Sequence, residues 1–483
     1  MRRLLAPLLA ALLAGCAVTQ PAAPTLDLPT APIATAEQNE LLEHWWTAFD
    51  DPVLSALIDE AYANNLDLKV TLARIDVAKA QLLLASYYLY PNLFLTAGAS
   101  RDRYSQIDGN SNDSNSPSGS NGSSSSGGSV SNTLNIGFQA SYEVDLWGKY
   151  RSSALAATND LTAARYYRET VRIMVAAEVA RAYFQLRAAD ALLVVLRDTQ
   201  KTRGETVRLQ RDRFEAGRIG EYDLRQAEAE LSAVEADIAR AQRSIGLLES
   251  GLATLTGRSP REVFTPVIAR GATIEAATSV PRLPEGLPSE LLQRRPDIRR
   301  AEALLASSEL RIQQARADYF PNIQLTGTYG FEGSSLATLF SVPALAWGLA
   351  VALVQPILAL KPIEAAVMTA EARRDQTTIE YAQTVQLAFR DVHDALVVND
   401  TAQRVLAAET HRRDQLKKAL EVATLRYDAG RTSFLEVLDA QRQLLSAETQ
   451  RIAAARDTQI AIVSFARALG GGWEPATLAD AMP

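Results

Sequence analysis

Cysteine occurs once, at Cys16, and histidine three times, at His44, His393 and His411. One cysteine excludes a disulfide framework and any cysteine-rich metal site. No histidine stands four residues from another, so no helix face carries a paired-imidazole metal site. A Gly-rich phosphate loop, a nucleophile elbow and zinc-ligand spacing are all missing, and the carboxylate pairs read as solvated helix faces. No catalytic constellation, metal or soluble cofactor is expected. The net charge is -7 with no basic stripe, which argues against nucleic acid as a partner. A membrane-spanning helix is also lacking. The long uncharged stretch Gly333 to Leu360 is cut by Pro343 and Pro356, with twelve residues between them, where a spanning helix needs about twenty.

Glycine and proline are absent over long intervals. None occurs between Gly148 and Gly204, nor in the 67 residues from Ile363 to Ala429. In the first interval Val171, Val175, Val179, Ala182, Leu186, Ala189 and Leu193 step by three or four, along one face of a helix. A helix as long as the second interval measures roughly 100 Å, more than a globular domain needs. Alanine-rich interior positions suit close, coiled-coil-like packing. Each interval leads into the pattern RxxAG, at Arg213 with Gly217 and at Arg426 with Gly430. A second helical stretch follows, about 221–257 and 434–469, so each pair reads as a hairpin turned at glycine.

The chain repeats itself. The segment around Pro91-Asn92 reappears around Pro321-Asn322, and RFEAGR at 213–218 reappears as RYDAGR at 426–431. The two offsets, 230 and 213, differ by 17, roughly the excess length of a Ser/Gly/Asn-rich stretch near 105–132 that reads as a long polar surface loop. A duplicated unit that cannot bury its own surfaces closes against its copy or against other chains.

Four segments alternate with period two. Leu134, Ile136, Phe138, Ala140, Tyr142, Val144 and Leu146 are apolar, and the residues between them are polar or glycine. Segments 92–101, 322–331 and 344–355 complete the set beside 133–146. Each is long enough for a tilted membrane-spanning strand, which needs about 9–11 residues. Four strands cannot close a barrel, and lipid does not tolerate open edges. The missing strands must come from other copies, eight in all from two chains or twelve from three.

Arg2 and Arg3, the short apolar run Leu4–Leu13 and then Leu13-Ala14-Gly15-Cys16 resemble a bacterial lipoprotein signal. This implies a signal peptide over 1–15 and lipid on Cys16. Ala17, in place of an aspartate, implies delivery to the outer membrane. Several acyl chains anchor stably, at about 0.8 kcal/mol per buried methylene. Removal of Arg2 and Arg3 would take the net charge from -7 to -9.

Taken together, the lipobox, YEVDLWGKYR at 142–151, LPSELLQRRPDIRRAE before Ala303, the paired YPN and FPN segments and RYDAG through LDAQR at 426–442 resemble the outer membrane factor family of TolC-like channel-tunnels. The likeness is strongest to its NodT-type and OprM-like efflux lipoproteins. It spans about Trp45 to Leu469. One departure stands at 355–362, where QPILALKP occupies a place that is Gly-rich in the family.

The resemblance implies an α+β membrane protein: a duplicated unit of long α-helical hairpins and four transmembrane β-strands per chain. It would trimerise into a 12-stranded β-barrel and an α-helical periplasmic tunnel. The expected segments are a tether at 16–50, repeats at 51–260 and 291–470, a linker at 261–290 and a tail at 471–483. The implied function is the outer-membrane exit duct of a tripartite efflux system for small molecules. Its partners would be a periplasmic adaptor, an inner-membrane pump and outer-membrane lipid. The competing readings are a type I protein-secretion duct and a periplasmic coiled-coil scaffold or adaptor without a pore. The alternating segments weigh against the scaffold.

By the same resemblance the closed entrance is held by Tyr427, Asp439 and Arg442. Asp439 and Arg442 lie three residues apart, on one helix side, and Leu435 falls one turn before Asp439 and could add an apolar constriction. The plain alternative is a surface ion pair worth well under about 1 kcal/mol. The hairpin ends, marked by Arg213, Gly217, Arg426 and Gly430, are expected to dock the adaptor as well as to stop the helices.

Overall fold

The computed structural model describes residues 43–103, 130–274, 295–358 and 360–473. The signal peptide with Cys16, most of the tether and polar loop, part of the linker and most of the tail lie outside these residues. Among the described residues the elements run as a 3-10 turn Trp45–Phe49, helices α1 (Pro52–Asn64) and α2 (Leu66–Tyr87), and strands β1 (Asn92–Arg103) and β2 (Val130–Glu143). Helices α3 (Lys149–Glu215), α4 (Glu221–Leu255), α5 (Pro260–Phe264) and α6 (Pro296–Ala317) follow. The order ends with β3 (Asn322–Gly333), the short α7 (Leu336–Leu339), β4 (Leu345–Val354), α8 (Leu360–Asp428) and α9 (Phe434–Ala468).

The chain divides into two compact units. One holds Ala80–Thr158 and Ala306–Asp375; the other holds the described parts of Ala22–Lys79, Asn159–Leu305 and Gln376–Pro483. Each unit draws on both sequence repeats.

The first unit contains a single antiparallel sheet in the order β1-β2-β3-β4. Its register sorts side chains by chemistry. Leu95, Phe138, Tyr329 and Trp347 form one cross-strand row on the apolar face, and Thr96, Gly137, Gly330 and Ala346 form the next row on the other face. The apolar face is uncovered, with Trp347 and Leu349 76% and 78% exposed. A face of this kind is stable in hydrocarbon and unstable in water. At Gly137 a Cβ would lie 2.8 Å from the Gly330 Cα, so the glycine pair admits a backbone approach that any side chain would block.

All four expected strands are present. β2 ends at Glu143, three residues before the alternation stops. Val144 still donates to the Ile323 carbonyl at 2.9 Å. Asp145 then turns away to accept the Tyr150 and Arg151 backbone N–H groups at 3.3 and 2.9 Å, so the start of α3 overrides the strand pattern. Trp147 locks this joint: its Nε1–H donates to the Pro321 carbonyl at 2.8 Å, and its ring stacks on Phe320 with centroids 4.7 Å apart. The corresponding passage after β4 uses prolines. α8 begins at Leu360 with Pro362 in its first turn, where a missing N–H costs no helical bond. No described helix is long and apolar enough to cross a membrane.

In the second unit Trp45, Trp46, Phe49, Leu54, Ile58 and Phe184 lie in a core cluster. Each large side chain buried there contributes about 1.5–3 kcal/mol. Asp51 ties three segments together beside it. Its carboxylate caps α1 by accepting the Val53 and Leu54 N–H groups, takes a 2.6 Å bond from the Tyr183 hydroxyl, and accepts the Ala272 N–H at 3.2 Å. Burial, and then the hydrogen bond to Asp51, push the Tyr183 phenol above its ordinary pKa. Arg295, the second arginine of the RRPDIRRAE motif, is buried. It donates to the Ala468 carbonyl at 2.9 Å and pairs with Asp297 at 2.7 Å and Asp391 at 3.5 Å. The motif thus closes the end of α9 onto the start of α6.

Asp51→Ala removes the cap and leaves the Tyr183 hydroxyl without its acceptor, a loss of about 2–3 kcal/mol. The expected result is a lower thermal midpoint by circular dichroism. Asp51→Asn, which keeps a capping oxygen, should recover part of it. Equal melting of wild type and Asp51→Ala would refute the assignment.

Candidate functional site

The two hairpins α3–α4 and α8–α9 end in the same way. Gly217 and Gly430 take φ of +66° and +67°, which glycine adopts without the Cβ penalty. Arg218 N–H bonds the Arg213 carbonyl and Arg431 N–H the Arg426 carbonyl, each at 2.8 Å. These bonds cap the last turns in the Schellman manner. The RxxAG repeat is therefore a backbone signal. The side chains part company: Arg426 is exposed, whereas Arg213 reaches Tyr427 on the other hairpin.

The Tyr427 hydroxyl accepts from Arg213 at 2.7 Å and from the Gln210 side-chain amide at 3.0 Å. The Arg213 guanidinium also lies 5.1 Å from the Tyr427 ring centroid, within cation–π range. Beneath these contacts Val207, Ala227, Phe434 and Leu438 form a buried cluster with Leu231 and Tyr427 packed on it. α3, α4, α8 and α9 each supply a side chain. Tyr427 thus joins the two hairpins through Arg213, 214 residues away in sequence.

Leu435, Asp439 and Arg442 lie on the exposed side of α9. Leu435 is 53% exposed. Asp439 accepts from the Gln443 side chain one turn further on. Arg442 turns to the other hairpin, where its Nε donates to Glu230 at 2.8 Å. Asp439 and Arg442 thus share a helix side and hold different partners.

Glu230 is the hub. Its second carboxylate oxygen pairs with Arg203 at 2.8 Å, and its backbone carbonyl accepts from the same guanidinium at 2.7 Å. Arg203 is buried and the Glu230 side chain is 13% exposed. Burial pushes Arg203 below its ordinary pKa against the pull of Glu230, and the Glu230 hydrogen bond holds Arg442 above its own. The buried Arg203 is the partner that Glu230 cannot lose cheaply, while Arg442, 44% exposed, adds a solvent-screened pair from the other hairpin.

Sequence reasoning did not find Arg203, Gln210 and Glu230. One signal was available. At the hairpin offset of 213, Tyr427, Leu435, Asp439 and Arg442 correspond to Phe214, Tyr222, Gln226 and Ala229. The first hairpin does not repeat these four side chains, so whatever holds Arg442 has to come from elsewhere on it.

The outer membrane efflux protein family profile matches residues 57–258 and 287–471. Outer membrane protein OprJ of Pseudomonas aeruginosa is 31% identical, with 97% of this chain and 95% of that protein aligned. A Salmonella typhimurium protein described as a probable outer membrane lipoprotein, SilC, is 28% identical over 96% of this chain and 97% of its own length. Among solved structures, the CmeC outer membrane channel of Campylobacter jejuni superposes with a TM-score of 0.81 at 27% identity. That match covers 94% of this chain and 95% of the other.

Glu230→Gln leaves Arg203 buried without a full counter-charge and loosens Arg442. The expected cost is about 3 kcal/mol, read as a lower thermal midpoint. A variant as stable as wild type would show that Glu230 restrains nothing.

Proposed function

This chain belongs to the outer membrane efflux protein family, and on that premise we propose that it works as a homotrimer receiving small molecules from an inner-membrane pump through a periplasmic adaptor. It is an outer-membrane exit duct of an efflux system, and its family is one of transport proteins. The observation that carries the reading is the four-stranded sheet with one apolar face, one face of polar and small residues and, among the described residues, two unpaired edges. Such a sheet is complete in lipid only as part of a closed ring. Three chains bring twelve strands, enough to leave a lumen, where eight would be filled by their own side chains.

Passage needs no catalytic residue. Selectivity and gating arise from rings of charge and from constrictions repeated by symmetry. In this reading Tyr427, Leu435, Asp439 and Arg442 form the periplasmic gate. Three copies of the exposed Leu435–Asp439–Arg442 side converge on the axis, and Tyr427 and Glu230 hold each copy against its neighbouring hairpin. The hairpin tips at Arg213, Gly217, Arg426 and Gly430 are the adaptor's docking points. Cys16 carries the lipid anchor, as the lipobox pattern and the likeness to a lipoprotein suggest; metabolic labelling with palmitate tests it.

Single-channel recording of the purified protein in planar bilayers tests the duct and its gate together. Wild type should show a small conductance, and Asp439→Ala with Arg442→Ala a much larger one. A large conductance unchanged by the substitutions would move the gate elsewhere, and no channel from well-folded, membrane-inserted protein would end the duct reading. Replacing Gly217 or Gly430 with a bulky residue should abolish drug export while the trimer persists. No atom crowds a Cβ at either glycine, so the effect would come through backbone strain and the changed tip. Unaltered export would remove the docking role.

A further inference from the structure

β1 and β4 are the edges of the sheet, and the internal repeat contains a pattern for what pairs them. Within one chain, β2 of the first repeat pairs with β3 of the second. In a ring of copies, β4 of the second repeat meets β1 of the next chain, so β2–β3 is the same seam seen inside one chain. This inference rests on the closed ring proposed above and goes further by fixing which residues meet.

The numbering transfers without adjustment. Asn92 pairs with Ser141 in the first repeat and Asn322 with Val354 in the second. β3 therefore stands 230 positions after β1 and β4 stands 213 after β2, the two offsets seen in the sequence repeats. The internal seam pairs Ser141 with Thr326, Ala140 with Gly327, Gly137 with Gly330 and Leu134 with Gly333. Shifting each partner by its own offset gives the seam between chains. We infer that β4 pairs with β1 of a second copy in this register: Val354 opposite the partner's Thr96, Leu353 opposite the partner's Ala97, Ala350 opposite the partner's Ser100, and Trp347 opposite the partner's Arg103.

The chemistry of the strands agrees with the register, although it was not used to obtain it. Leu353 and Val351 fall beside the partner's Ala97 and the partner's Ala99, apolar on apolar. Ala352 and Gly348 fall beside the partner's Gly98 and the partner's Asp102 on the other face. A slip of one residue would put every one of these on the wrong face. Trp347, 76% exposed, lies beside the partner's Arg103, where a guanidinium can stack on its ring. The ladder also ends where it should. Pro356 occupies the place of Glu143, the last paired residue of β2, and has no N–H to donate. Beyond it Leu360 stands where Trp147 does, and Tyr90 where Phe320 does. Both are exposed in one chain, at 42% and 68%, and the internal Trp147–Phe320 stack predicts that Leu360 covers the partner's Tyr90. One difference is built in: Ala350 and Ser100 replace the Gly137–Gly330 pair, so the seam between chains lacks that pinch.

Cross-linking of the full-length chain in its membrane reads the register. The variants are Ala350→Cys with Ser100→Cys and Val354→Cys with Thr96→Cys, oxidised and separated without reductant. Both should give covalent dimers and trimers. The crossed combinations, Ala350→Cys with Thr96→Cys and Val354→Cys with Ser100→Cys, place the sulfurs four residues out of register, roughly 13 Å apart. They should give none, because a disulfide needs Cα atoms within about 7 Å. Cross-linking of the crossed pairs in preference to the matched ones, or of neither set in a protein that is trimeric on native gels, would overturn the register and leave the trimer standing. A wild-type protein that is monomeric in membrane extracts would overturn both.

Discussion

Every backbone amide and carbonyl at membrane depth must find a partner, because hydrocarbon offers none. The sheet meets that demand along β2 and β3 and fails it along the outer sides of β1 and β4. Oligomerisation is therefore the condition under which this sheet can exist in lipid, rather than an addition to a finished subunit. The same demand explains why the duplication is useful. Two similar hairpins already paired with each other carry the geometry by which further hairpins can be added until the ring closes.

The helical part follows a different rule. Helices of 67 and 69 residues satisfy their own backbones and need partners only for their side chains. Apolar packing at Val207, Phe434 and Leu438 gives adhesion between the hairpins with little direction. Direction comes from polar contacts that span two hairpins, Tyr427 with Arg213 and Gln210 and Arg442 with Glu230, the last steadied within its own hairpin by Arg203. The pair of Glu230 with the buried Arg203 is costly to break, whereas its pair with the half-exposed Arg442 is cheap.

What the sequence made legible follows from these two rules. Strand positions could be read because each face of the sheet meets a different medium, which writes a period of two into 133–146 and its counterparts. Helix lengths could be read because glycine and proline are absent from 363 to 429 and interrupt the run from 149 to 216 at Gly204 alone, which the helix absorbs. The end of β2 was misjudged by three residues because Asp145 fits the alternation as a polar residue while serving α3 as a cap. Asp51, Arg295 and Glu230 were illegible as hubs for another reason. Each joins residues distant in sequence through single contacts that leave no period behind. The spacing of Asp439 and Arg442 told which side of α9 they occupy and nothing about what Arg442 touches.

The two strand-to-helix joints of each chain differ. After β2 the passage is stiff: Asp145 caps α3, and Trp147 is bonded to Pro321 and stacked on Phe320. After β4 it is a short proline-bounded link, with Ile357 and Leu358 75% and 97% exposed. There the Gln355 side-chain amide donates to the Tyr319 carbonyl at 3.1 Å, a side-chain tie where Trp147 adds a stacked ring. The duplicated passage is thus made in two ways, once by clamping an aromatic ring and once by removing backbone donors with proline, so a substitution that weakens one joint has no equivalent in the other.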